Sequence, residues 1–548
     1  MTDYTRHFAT RPRKLVTPQS EPIPGTTQVP NSAGGHAWPV GAWDRLDRFL
    51  VLGSEGGTYY VQERELMIDN AWTVAALIEE DGPRVVRRVV EISTAGRAPK
   101  NDPALFVLAM AAGLGDEVTR AAAFAALPAV ARTATHLFRW LGYVQAFRGW
   151  GRGVRRAVAA WYTAKPPRDV AYQILKYPSR DGWAHRDALR LAHPAPPTPT
   201  HDLLFRFAVK GWEALDRADG AEPEVRVLLD AVHSLVRATA DEAAATIAEY
   251  GLVREMVPTE LLRHAVVWEA LLERMPMTAL IRNLGVMTRV GLLTPLSAAA
   301  RKVAERITDA DALGAARVHP LAVLAALATY AQGRGARGSG TWQPVPQVVD
   351  ALDAAFYLAF RNAPTTGRRI MLALDVSGSM VAPIHGMPYL SCRAASAAMA
   401  LVTAATEPEH VFTAFTQGRY ASRWPGIGSG LSTLSISPRQ RLDDVVRQIS
   451  DLPFGGTDCA LPMLEAMKHG WAIDTFVVYT DSETWAGTIH PAQALRQYRE
   501  KTGIPARLVV VGMTSNGFSI ADPQDGGMLD VVGFDTATPA LIADFARG

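Results

Sequence analysis

Two sequence periodicities meet near Arg368, so the chain cannot be built on a single repeating plan. From about Trp38 to Phe360, apolar residues recur at three- and four-residue spacing. Examples are Leu105, Leu108, Ala109 and Ala112, or Leu261, Leu262, Ala265 and Val266. This spacing makes the apolar stripe of an amphipathic helix. Prolines at 103, 128, 166–167, 258, 276, 295 and 320 punctuate the pattern at intervals of one helix. No strict repeat period emerges, yet many short helices in series favour α-solenoid stacking over a compact bundle. Beyond Arg368, apolar and β-branched runs at Ile370–Val376, His410–Phe415, Thr475–Thr480 and Ala506–Val511 predict strands. Helical segments at Cys392–Ala405, Leu442–Ile449, Leu461–Lys468 and Ala492–Lys501 fall between them. This alternation predicts an α/β domain with a doubly wound, mostly parallel sheet.

Charge divides at the same place. Residues 370–548 hold 12 Arg/Lys against 17 Asp/Glu, and residues 1–369 hold 44 against 37. The net charge is +2, so any nucleic-acid footprint must come from placement rather than total excess. Two cysteines, Cys392 and Cys459, are too few for a disulfide framework or a thiolate zinc site, and fit a reducing compartment. The longest apolar runs, Pro103–Leu114 and Pro320–Ala331, fall short of the roughly 20 residues that cross a bilayer. No apolar core follows Arg6, His7, Arg11, Arg13 and Lys14 to make a signal peptide. A cytoplasmic protein with no membrane segment is the expectation. Residues 1–37, rich in Thr, Pro, Ser and Gly, read as a flexible arm.

The sharpest local motif is Asp375-Val376-Ser377-Gly378-Ser379, directly after the first predicted strand. Gly455-Gly456-Thr457-Asp458 and Thr480-Asp481 lie at later loops and strand ends. Strand ends of an open parallel sheet converge on a crevice at its carboxyl edge. Ser377, Ser379 and Thr457 would bring hydroxyl oxygens there, and Asp375 and Asp481 carboxylates. Such a hard oxygen set suits Mg²⁺ or another divalent cation. These motifs resemble the von Willebrand factor A domain and its metal-ion-dependent adhesion site. The resemblance implies hydroxyls on the metal and Asp residues acting through water. A turn capping a helix is the plainer reading of Ser-Gly-Ser alone; the three motifs in order argue against it. Phosphate-loop, His-Glu-x-x-His and Cys/His zinc signatures are absent, which argues against an enzyme.

Residues 132–212 carry 14 Arg/Lys against 4 Asp/Glu. In Gly151–Tyr162, helical geometry puts Val154, Ala157, Val158 and Trp161 on one side and Arg152, Arg155 and Arg156 on the other. In Ala184–His193, Ala184, Ala188 and Leu191 share a face opposite Arg186, Arg190 and His193, with His185 at the edge. Two neighbouring cationic helix faces would make a phosphate-binding stripe, with Tyr177, Trp183 and His185 as stacking surfaces. A single Arg is more simply a solvated side chain, and a lone His a structural or capping one. The cluster, lacking interleaved acids, reverses that judgement.

The stretches Tyr172–Tyr177, Arg180–Asp187 and Leu189–His193 resemble the RNA-binding segment of the Ro autoantigen (TROVE) family. Arg48–Leu50 with Gly53–Tyr60, Thr135–Phe138, Met275–Leu280, Leu352–Tyr357, Gly512–Phe518 and Ile520–Pro523 match it as well. The likeness runs from about Trp38 onward. It implies a HEAT-like helical-repeat ring over residues 38–366, closed by the A-type domain at 367–548. It also implies a monomer that binds Y-like small RNA and misfolded noncoding or ribosomal RNA. Bacterial members work with polynucleotide phosphorylase, an exoribonuclease, through an RNA tether. Carried onto this chain, the likeness marks Lys176, Arg180, His185, Arg186 and Arg190 as RNA contacts. Gly418–Ser437 is longer and richer in Gly and Ser than the family pattern leads one to expect. The reading is a non-catalytic RNA-binding scaffold for noncoding RNA quality control. The alternative is a metal-dependent protein–protein adaptor acting through its A-type domain.

Overall fold

The computed structural model describes residues 16–547, except 55–61, 99, 218–219, 317, 319, 336–339, 361–364, 385–386, 417–429, 438–439, 453–454 and 533–537. The basic residues before position 15, most of Gly53–Tyr60, and most of the Gly/Ser-rich run from 418 therefore lie outside the described residues. The chain forms two compact units. One comprises the described parts of Met1–Arg48, Ser54–Met67 and Asn362–Gly548; the other comprises Phe49–Gly53 and Ile68–Arg361.

The second unit is helical, with helices running from Asp102–Leu114 through to Pro346–Leu358 and packing largely on near neighbours in sequence. Prolines mark starts more often than ends: helices begin on Pro167, Pro199, Pro223, Pro320 and Pro346. At the first helical position the missing N–H has no partner to lose. In Asp102–Leu114, Leu105, Leu108, Ala109 and Ala112 are all fully buried, as their spacing predicts. The stripe read through Leu261–Val266 is corrected. Leu261–Arg263 is a 3₁₀ turn, and the helix Ala265–Arg274 buries Val267, Trp268, Leu271 and Leu272 while Val266 is exposed. Among the described residues no helix is long and apolar enough to cross a membrane.

The first unit contains a six-stranded sheet of β1 (Ile370–Asp375), β2 (His410–Phe415), β3 (Leu431–Leu434), β4 (Thr475–Thr480), β5 (Arg507–Gly512) and β6 (Met528–Val532). Their order is β6-β5-β4-β1-β2-β3, all parallel except β3, which runs antiparallel to β2 at the edge. Every residue of β1 and β4 is buried, as expected of central strands covered on both faces. From β1 the chain winds outward through β2 and β3, then restarts at β4 on the other flank of β1. The carboxyl ends of β1 and β4 thus border the topological switch point, where such sheets open a crevice. Cys392 and Cys459 are buried free thiols.

The flexible arm read over residues 1–37 is corrected for its described part. Residues 16–40 pack against the sheet domain. Val29–Pro30 and His36–Pro39 form a small antiparallel sheet with Phe518–Ser519. Trp38 is buried in the same apolar core as Met463, Phe476 and Tyr498. The Pro/Thr/Gly composition that reads as a linker does provide turns. Specific amide hydrogen bonds and one buried indole hold those turns in place.

Candidate nucleic-acid interface and metal centre

The helix Arg152–Thr163 buries Val154, Ala157, Val158, Trp161 and Tyr162 and leaves Arg152, Arg155 and Arg156 exposed, as its sequence predicts. It packs on the helix His185–Ala192, so the two basic helices are neighbours. Arg186 and Arg190 are exposed on the second helix. Among the described residues, Arg152, Arg155, Arg156 and Arg190 make no ion pair. Arg186 and Arg180 reach only their own sequence neighbours, Asp187 at 3.8 Å and Asp181 at 3.3 Å. Contacts this loose and exposed leave both guanidinium groups available.

Between these helices, Ser179–Arg180 and Trp183–Ala184 pair as a two-residue hairpin. Asp181 and Gly182 both have positive φ, 51° and 82°. The Asp-Gly step is the sequence signal for this turn, and helical-wheel reasoning passes over it. Arg139 pairs with Asp181 and Asp102, fastening the hairpin. Trp183 is half-buried, tilted against Trp150. Lys176 is half-buried and donates to Tyr172 Oη (2.9 Å). His193 is exposed and closes its helix in the left-handed conformation at φ 47°.

His185 is not at the edge of the cationic face. The helix buries His185, Ala188, Leu189 and Ala192, so its stripe is turned from the one read through Ala184, Ala188 and Leu191. The ring Nε2 faces the carbonyl oxygens of Gln173 (3.2 Å) and Tyr177 (3.1 Å), and Nδ1 faces Tyr162 Oη (2.7 Å). Two carbonyls at Nε2 require the proton there, so Nδ1 accepts from the phenol. Burial pushes the imidazole pKa down to about 4, which keeps it neutral. His185 therefore ties its own helix to Arg152–Thr163 and Pro167–Lys176; it positions the basic surface from beneath. Beside it lies a cavity of about 310 Å³, with Ile174, Phe207, Trp212 and Met256 in its walls and Arg186 and Glu255 among its polar residues. His233 stacks on Trp212 at 4.5 Å. The patterning of the sequence does not single out Trp212 or Glu255.

In the sheet domain, Asp375, Ser377, Ser379, Thr457 and Asp481 are all buried; the first three and Asp481 lie at the carboxyl ends of β1 and β4, and Thr457 lies in a loop whose backbone is hydrogen-bonded to the loop that follows β4. Asp375 Oδ1 accepts from Ser377 N (2.9 Å), and Oδ2 from Thr480 Oγ1 (2.6 Å). Ser377 Oγ and Ser379 Oγ are 3.0 Å apart. Arg393, almost fully buried, donates to the carbonyls of Val376 (2.5 Å) and Ser377 (3.1 Å) and holds the motif loop from behind. Burial pushes the Asp481 carboxyl up to about 8, with Asp375 and Glu483 adding repulsion. Burial also raises Asp375. Thr457 Oγ1 and Asp481 Oδ2 are buried without a hydrogen-bond partner among the described residues. Unmet oxygens of this kind are rare in folded proteins and fit a hard divalent cation.

The Ro60 von Willebrand A domain family matches residues 369–546, and the TROVE domain family matches 29–241 and 248–329. An RNA-binding protein RO60 of Deinococcus radiodurans is 44% identical over 537 residues, covering 97% of this chain and 98% of the relative. One of Caenorhabditis elegans is 37% identical over 595 residues, covering 95% and 90%. The crystal structure of the Deinococcus radiodurans RO (RSR) protein superposes with a TM-score of 0.70, covering 93% of this chain and all of that one. With a basic helical unit, a sheet domain of the matching type and relatives alike along nearly their whole length, the chain belongs to the Ro60 family.

Proposed function

We propose that this chain is a non-catalytic RNA-binding scaffold whose phosphate contacts lie on the helices Arg152–Thr163 and His185–Ala192. The carrying observation is that Arg152, Arg155, Arg156 and Arg190 are exposed, on adjoining helices, with no acidic partner among the described residues. Cations placed this way neutralise phosphates and release counterions. Two relatives named as RNA-binding proteins support the same reading. The RNA is a structured, Y-like small RNA, with misfolded noncoding or ribosomal RNA as the second class. The chain acts as a cytoplasmic monomer and passes such RNA to an exoribonuclease, polynucleotide phosphorylase, through an RNA tether. The cavity beside Arg186 has room for an unpaired base, with Trp212 in its wall.

Asp375, Ser377, Ser379, Thr457 and Asp481 would hold Mg²⁺ or another divalent cation, and the bound ion would supply an open position for an acidic group of a partner. The unpartnered Thr457 Oγ1 and Asp481 Oδ2 support a second reading, in which the A-type domain is a metal-dependent adaptor for another protein. The two readings separate experimentally. Purified without nuclease, the chain is expected to carry a small set of structured RNAs that sequencing identifies. A nucleic-acid-free preparation that binds no structured small RNA at low salt would refute the scaffold reading.

A further inference from the structure

One side chain of the N-terminal segment links two loops of the proposed metal site. Gln19 is fully buried, and its carboxamide makes four hydrogen bonds. Nε2 donates to Asp458 Oδ1 (2.8 Å) and to the carbonyl of Ile489 (2.8 Å). Oε1 accepts from Thr484 Oγ1 and from Gly487 N (3.4 Å). Asp458 adjoins Thr457, and Thr484 lies three residues beyond Asp481. Gln19 therefore bridges the two loops that supply the second and third parts of the proposed metal site. The loops also meet directly, since Trp485 N and Ala486 N donate to the Thr457 carbonyl (3.1 and 3.0 Å).

The rest of the segment grips the same loop. Asn31 Nδ2 donates to the Thr484 carbonyl (2.7 Å), and Ala33 N donates to Glu483 Oε2 (3.2 Å). A Cβ added at Gly35 would collide with the Thr484 carbonyl oxygen, so only glycine allows the chain to approach so closely. Behind them, Asn516 Nδ2 donates to the Asp481 carbonyl (2.7 Å), and Arg48 donates to the Asn516 and Phe518 carbonyls while pairing with Asp530 at 2.6 Å.

We propose that residues 17–35 complete the metal centre, with Gln19 a positioning residue that holds Thr457 and Asp481 at ligand spacing. The proposal rests on the metal-site reading above. Thr457 and Asp481 come from loops with no regular secondary structure, so their spacing depends on cross-links between those loops. The buried Gln19 amide bonds polar groups of both loops where low local dielectric strengthens such bonds. Removing a group that orients ligands without touching the ion commonly weakens metal affinity by about 10–100-fold.

The test is Mn²⁺ titration of the full chain by calorimetry, well below the unfolding midpoint. Gln19→Leu is expected to weaken Mn²⁺ binding by about tenfold or more, and Asn31→Ala by less. Val509→Ala, a fully buried site in the middle of β5, is the control for stability loss alone. It is expected to lower the unfolding midpoint and leave Mn²⁺ affinity intact. If Gln19→Leu fails to fold, Asn31→Ala at unchanged affinity overturns the proposal. A wild-type chain that takes up no Mn²⁺, or an Asp375→Ala chain that binds it as well as wild type, overturns the metal reading and this proposal together. Wild-type binding that Asp375→Ala removes and Gln19→Leu preserves overturns this proposal alone.

Discussion

The basic helical surface and the crevice at the carboxyl ends of β1 and β4 place charge in opposite ways. On the helices Arg152–Thr163 and His185–Ala192, the charged groups stand in water and the apolar stripe beneath them does the folding. In the crevice the charged groups are buried, and hydrogen bonds from Ser377 N, Thr480 Oγ1 and neighbouring loops hold them. Exposed arginines cost little to keep and little to remove. Buried carboxylates resist ionisation, and at Asp481 burial together with the nearby Asp375 and Glu483 raises the carboxyl pKa. A surface that binds by charge in solvent should therefore tolerate mutation in stability and lose only affinity. A crevice that binds by desolvated oxygens should fail completely when one ligand is removed.

The largest expected effect lies in the crevice. Asp375→Ala should abolish Mg²⁺ or Mn²⁺ binding by the full chain, measured calorimetrically. RNA affinity should stay unchanged, because residues 370–548 carry net negative charge and repel phosphate. Retained metal affinity would reject the ligand set.

His185 blurs the contrast, since it is a buried group under the exposed surface. His185→Ala should lower stability by about 3 kcal/mol, because it strands the Tyr162 phenol, takes the donor from the Tyr177 carbonyl and leaves the Gln173 carbonyl with the Tyr177 N–H alone. Its pH signature has a definite sign. With a folded pKa of about 4 against 6.5 for the ordinary group, the unfolded chain takes up the proton first. The contribution is complete above pH 6.5 and is lost as pH falls toward 4, amounting to about 3 kcal/mol over the interval. Chemical denaturation in steps between those limits should show this slope in the wild type and a flatter one in His185→Gln. Equal slopes would place the ring in solvent.

Arg186→Ala with Arg190→Ala should weaken binding of a structured small RNA by about tenfold at low salt. The slope of log K against log salt should flatten by about 0.7–0.9 for each phosphate no longer neutralised, with the unfolding midpoint nearly unchanged. Wild-type affinity and slope in this variant would move the RNA elsewhere. The smallest effect is expected at Trp212→Ala. It should cost about 1 kcal/mol with an unpaired base in the RNA and nothing with a fully paired duplex, at constant salt slope. Weaker binding of both RNAs would make Trp212 structural.

Legibility in the sequence follows whether a segment's environment repeats along the chain. The strands His410–Phe415 and Thr475–Thr480 are read to the residue, because interior strands of a covered parallel sheet are continuous stretches of apolar, aromatic and β-branched residues rather than alternating ones. The strands Leu431–Leu434 and Met528–Val532 escape that rule. Each is short and lies at a sheet edge, and the second carries Asp530, which is there to meet the buried Arg48. The arginine face of Arg152–Thr163 is legible since no polar residue interrupts its stripe. His185 is misplaced by the helical wheel because a polar residue on a buried face looks from sequence like one on the rim.

The order of the three metal motifs, the break in periodicity at Arg368 and the cationic helix faces are properties of the sequence by itself, since each is local or periodic. Tertiary structure alone decided that His185 is a buried tie, that residues 16–40 close onto the sheet domain, and that Gln19 reaches Asp458 and Thr484. The hydrogen bonds that residues 16–40 make to the sheet domain join residues more than 430 positions apart, Thr17 and Gln493 being separated by 476. A carboxamide or an imidazole has no fixed preference for water or interior until the partners that satisfy its hydrogen bonds have been brought to it.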